Sequence, residues 1–133
     1  MGRLPLPRVQ TIVSKRKAAL AVGFIHGMFH VPLMVLTTTY NNVGNRWIVV
    51  PTVVVTLTAA GVFYAWLKDR SGSVWPVAVA HGTVNVLIDG AAYAAILSPV
   101  AFAYTATESG FVTMVAAMVL GAVLLARGRT WGR

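Results

Sequence analysis

Four apolar stretches constrain this chain more than any single residue does: about residues 18–37, 47–67, 75–97 and 110–126. A bilayer hydrocarbon core takes roughly 20 helical residues to cross, and the last stretch is the shortest of the four. With no water to satisfy backbone groups in lipid, segments of this kind form helices that bond internally. Hydrophobic residues make up 57% of the chain and charged residues 11%, against about 25% charged in a soluble domain. The expectation is an all-α integral membrane bundle of about four transmembrane helices. The first apolar stretch follows a polar leader and lacks a small-residue cleavage pattern, so it reads as a retained helix, not a signal peptide.

The formal net charge of +8 would suit nucleic acid if it were clustered on one surface, but its distribution follows the spans. Arg3, Arg8, Lys15, Arg16 and Lys17 precede the first, Lys68 and Arg70 lie between the second and third, and Arg127, Arg129 and Arg133 follow the fourth. The other two connections hold only Arg46 and Glu108 as charged residues. This is the positive-inside pattern of a multi-pass cell-membrane protein with both termini cytoplasmic. The basic residues are therefore topological and imply no nucleic-acid partner. Trp47, Trp75 and Trp131 near span ends fit interfacial anchoring. The absence of cysteine removes disulfides, thiolate metal sites and cysteine nucleophiles.

Residues 1–17 read as a basic cytoplasmic or interfacial leader and 18–133 as one bundle, with no soluble domain or clear internal repeat. The Asn- and Gly-rich "YNNVGNR" at 40–46 should turn outside the membrane. "LKDRSGSVWP" at 67–76 is a tight inner turn, with Ser73 a candidate N-cap and Pro76 near a helix start. The longest connection, beginning "SPVAFAYT", has room for a short interfacial helix.

Ionisable groups inside a bilayer cost several kcal/mol and usually face the bundle interior for a functional reason. The ionisable or amide residues of interest in the spans are few: His26, His30, His81, Asn85 and Asp89. Four-residue spacing puts His26 and His30 on one helix face and His81, Asn85 and Asp89 on another. At about 1.5 Å of rise per residue, His30 lies on the order of 18 Å from Ala18, and His81 and Asn85 roughly 9 to 15 Å from Trp75. Both helices enter from the same side, so the two stripes could meet at one level. Each residue alone could simply bond a neighbouring helix, at about 0.6 kcal/mol; together they favour a site.

Three chemistries fit these residues. A metal could take His26, His30 and His81, because imidazoles at i and i+4 share a face. A haem could bridge two histidines. A water could be activated for hydrolysis, one group acting as base and others stabilising an oxyanion.

"FIHGMFHVPLM" and, some fifty residues on, "GSVWPVAVAHGTVNVL" resemble the second and third motifs of the CPBP family of intramembrane proteases. That family includes the CAAX prenyl endopeptidases and bacterial relatives linked to bacteriocin self-immunity. The second motif, a histidine followed by a hydrophobic residue and proline, is matched by His30, Val31 and Pro32. The third is matched by Ser73, Trp75, Pro76, His81 and Asn85. The resemblance implies an intramembrane endopeptidase in which a glutamate and His30 activate water while His81 and Asn85 steady the tetrahedral intermediate. It also implies, through the metalloprotease label often given to the family, a divalent metal such as zinc on His30 and His81. The spacing leaves metal-assisted and metal-free routes both open. The implied substrate is a membrane-embedded or membrane-proximal peptide.

The chain departs from the family at its first motif, two adjacent glutamates with an arginine three residues on. The stretch that follows that motif is present as Leu6, Pro7, Arg8, Val9 and Gln10, but the only glutamate is Glu108. The expectation is the later part of a family pattern, weak or inactive as it stands. His26 falls where the family more often has an aromatic residue, which suggests packing beside His30. Asp89 reads as a helix–helix hydrogen-bonding group about 6 Å beyond Asn85, and as the best substitute for the missing base. The alternatives are a non-enzymatic membrane binding or immunity module and a haem- or metal-binding membrane protein.

Overall fold

The computed structural model describes residues 14–37, 43–94, 98–127 and 131, with the side chains of all but 89 and 91–94. Residues 1–13 of the expected leader lie outside the described residues, as do 38–42 of the first connection and 95–97 at the expected end of the third span. The regular elements among the described residues are five helices: α1 Lys15–Leu36, α2 Arg46–Ser71, α3 Trp75–Ala94, α4 Pro99–Thr105 and α5 Phe111–Ala126. The chain is all-α, as expected, and α4 occupies the connection expected to hold a short helix.

Local chemistry explains the boundaries. The Asn45 side chain accepts a hydrogen bond from the Trp47 N–H at 3.0 Å and opens α2, satisfying one of the donors a helix start leaves unpaired. Gly72 closes α2 in the left-handed region at φ 66°, its N–H reaching Lys68 O, a conformation that costs glycine nothing. The Ser73 hydroxyl accepts from the Trp75 N–H at 3.3 Å, so the expected capping residue serves the start of α3. Ser98 does the same for α4, accepting from the Ala101 N–H, with Pro99 at the first position. Pro32 and Pro51 lie inside α1 and α2, and membrane helices tolerate them because neighbouring groups satisfy the freed carbonyls.

Among the described residues, α1 and α2 alone are long and apolar enough to cross a membrane. The apolar part of α3 covers 75–88, and α5 has 16 residues, about 24 Å of helix. Helix α1 begins at Lys15, three residues before the apolar stretch, because lysine and arginine are good helix formers whose stems lie along apolar surface.

Helix α2 is the centre of the bundle, with α1 along one side, α5 along another and α3 touching it more sparsely. One core, at the end where α2 finishes, joins Ala18 and Ala19 of α1, Val62 and Ala65 of α2, Leu124 of α5 and Trp131. The Trp131 indole donates to Leu124 O at 3.0 Å. Both described ends of the chain therefore meet at one end of the bundle. The second core, toward the start of α2, joins Met34 to Val49, Val53 and Leu57, with Tyr104 of α4 packed on it. Large apolar side chains cover the outside: Trp47 is 90% exposed, Leu36 80% and Trp75 75%. Such a surface suits lipid, and the two tryptophans stand at helix starts on opposite ends.

Candidate functional site

Glycine decides how α1 meets α2. A Cβ on Gly23 would lie 2.6 Å from Thr58 O, and one on Gly61 would lie 2.5 Å from the Gly23 Cα. Without a hydrophobic drive between helices in lipid, this close backbone approach is what packing energy can use. The contact sets the rotation of both helices and so selects the residues that turn toward α3.

Those residues line a cavity of about 480 Å³, in the size range of ligand sites. Helix α2 contributes Gly61, Tyr64, Ala65 and Lys68 on one face, and Val74 in the turn before α3 is followed by Val77, Ala78 and His81 of α3, each set spaced i, i+3, i+4 and i+7. Helix α1 supplies Val22, Gly23 and His26. Three polar rings gather on this wall. The His26 and His81 centroids are 6.1 Å apart, and Tyr64 meets His81 edge-on at 5.5 Å. His30 stands against His26 at 5.0 Å, in a T-shaped arrangement.

The structure thus brings His26, His30 and His81 into one chain of contacts, with His26 as the middle ring. It stands against His30 on α1 and also meets His81 of α3. His30 Nδ1 lies 2.9 Å from His26 O. A carbonyl can only accept, so Nδ1 carries the hydrogen and Nε2 is the basic position of the neutral ring. Asn85 lies one helical turn beyond His81 and is exposed. The Asp89 side chain lies outside the described residues.

Tyr64 is the member that the sequence reading missed. Its signal was the spacing Gly61, Tyr64, Ala65, Lys68, a stripe in an otherwise apolar helix. Glu108 sits in the turn between α4 and α5, where the Thr107 and Ser109 hydroxyls both donate to Ala103 O, at 2.8 and 3.0 Å. Ser109 is buried.

Among the described residues, no three His, Asp or Glu side chains gather closely enough to hold a metal ion. A zinc site needs three or four such ligands, so a zinc on His30 and His81 would need further ligands beyond the described side chains.

A family model for Type II CAAX prenyl endopeptidase Rce1-like proteins matches residues 3–87. The chain belongs to this Rce1-like family. The matched region runs from the leader to α3 and includes His26, His30, His81 and Asn85, so the motif resemblance and the family match coincide. This is a protease family embedded in membranes, and α1 and α2 are suited to that setting. Neither the curated proteins nor the solved structures give a match to the chain.

Proposed function

We propose that the α1–α3 face of this Rce1-like chain is an intramembrane endopeptidase site acting on a membrane-embedded or membrane-proximal peptide. The observation that supports this reading most is the contact series from His30 through His26 to His81, of which His26 and His81 line a cavity between three helices. In the proposed reaction, His30 Nε2 takes a proton from water as the oxygen attacks the peptide carbonyl. His81 and Asn85 donate hydrogen bonds to the oxyanion. Collapse breaks the C–N bond, and the departing amine takes the proton from His30. His26 and Tyr64 hold the rings of this series in place.

The family's glutamate pair is not in this sequence, whose only glutamate is Glu108. In this reading no glutamate pair assists His30, and cleavage by the chain alone is slow. The test is cleavage of a fluorogenic apolar peptide by the chain in liposomes. His30→Ala and His81→Ala should each lower the rate by about 10²- to 10³-fold. A rate unchanged by either histidine substitution would overturn the catalytic assignment. Cleavage absent throughout, with a cellular protective effect that persists in both variants, would instead support a binding module.

A further inference from the structure

The cavity between α1, α2 and α3 has a second polar end, and the catalytic reading gives it no role. Lys68 lines the cavity beside Val74, at the turn from α2 to α3. His81, seven residues along α3 from Val74, is about 10 Å deeper. Between them the wall is apolar, formed by Val22, Ala65, Val77 and Ala78.

Charge around Lys68 is unbalanced. The chain has three acidic residues. Asp69 is engaged by Lys15, with Nζ to Oδ1 at 2.9 Å and to Oδ2 at 3.3 Å. Asp89 lies fifteen residues along α3 from Val74, about 22 Å of helix away. Glu108 sits in the α4–α5 turn. Among the described side chains, Asp69 is held by Lys15 and no ion pair joins a carboxylate to the Lys68 ammonium at the cavity mouth. By the positive-inside pattern this end faces the cytoplasm, where anionic lipid headgroups concentrate and where basic pockets between spans take them.

We propose that this cavity binds an anionic phospholipid, with its phosphate on Lys68 and one acyl chain along Val22, Ala65, Val77 and Ala78. The occupant would sit below His81 and Tyr64, on the path a peptide needs, so lipid occupancy would compete with substrate. The site is defined by binding and stands whether or not the histidines catalyse.

Native mass spectrometry of the full chain tests this, after release from nanodiscs containing equal phosphatidylglycerol and phosphatidylcholine with matched acyl chains. Wild type should retain phosphatidylglycerol preferentially. Lys68→Gln should reduce that preference about fivefold, the factor one basic residue contributes near an anionic surface, whereas Arg70→Gln should leave it nearly unchanged. Ala78→Trp, which fills the cavity, should evict both lipids. Val77→Trp repeats that test if the first variant misfolds, with circular dichroism as the check on folding. Equal retention of the two lipids, an equal effect of Lys68→Gln and Arg70→Gln, or retention untouched by both tryptophans would overturn the proposal. So would displacement of both lipids by a free fatty acid at equimolar concentration.

Discussion

Helices α1 and α2 touch backbone to backbone, whereas α3 stands off from both and leaves a cavity. The glycines record the difference. Gly23 and Gly61 have no room for a Cβ, while a Cβ on Gly82 or Gly90 of α3 would meet nothing within 4 Å. Side chains follow the same division: Val49, Val53 and Val62 of α2 are essentially buried, whereas Val79, Val86 and Leu87 of α3 are 66–70% exposed. The bundle is therefore a rigid pair, with α5 against its far side and a third helix hung beside it. Its polar rings lie where the rigid part meets the loose one. A site there takes its precision from α1 and α2, and α3 leaves it room for a ligand.

The largest structural effect should come from breaking the close pair. Gly23→Val or Gly61→Val forces backbone apart, and overpacking of this kind costs about 1 to 3 kcal/mol. Gly82→Ala should move the other way, because it removes the entropic cost of glycine within a helix, about 0.5 to 1 kcal/mol. Reversible unfolding in mixed micelles would compare the three. Opposite signs in the two regions sharpen the contrast, and a destabilising Gly82→Ala would show that α3 packs more tightly than the structure indicates.

The return segment should respond less. The Tyr104 hydroxyl accepts from the Asn45 N–H at 2.5 Å and ties α4 to the start of α2, beside Gly44 at φ 96°. Tyr104→Phe removes one hydrogen bond, worth about 0.5 to 1.5 kcal/mol. The lower part of that range is expected, because Asn45 is exposed and water can replace the hydroxyl. Hydrogen exchange at Asn45 should rise while exchange at Val62 stays as it was. A rise at both would mean that α4 supports the whole bundle.

The division between rigid and loose also explains what could be read in the sequence. The four apolar stretches located α1, α2, α3 and α5 because bilayer thickness leaves few alternatives, and "SPVAFAYT" carried its own start signals for α4. The histidine and asparagine spacings located the polar stripes. They could not say which ring on α1 would meet α3, because that depends on the rotation imposed by Gly23 against Gly61, a contact between residues 38 positions apart. His26 is consequently the ring on His81, while His30 reaches that neighbourhood through it. Tyr64 was hidden for a related reason: α2 is apolar around most of its circumference, so no single face announced itself.

The smallest effect tests whether the rigid pair owes anything to charge. Lys15 begins α1 and Asp69 lies near the end of α2, and their ion pair joins the two helices at the cavity's open end. The side chains are 30% and 11% exposed, so the pair is partly shielded, yet it sits where headgroups and water screen it. Double-mutant cycles for exposed pairs give about 0.2 to 1 kcal/mol, and a cycle of Lys15→Met, Asp69→Asn and the double variant should fall within that range. The coupling should shrink in high salt, whereas the effect of Gly61→Val should not. A coupling above the cost of Gly61→Val would reverse the ranking and make the ion pair, not the glycine contact, the main clamp. A coupling near zero would leave backbone packing to hold α1 on α2, with Asp69 serving to occupy Lys15 and leave Lys68 facing the cavity.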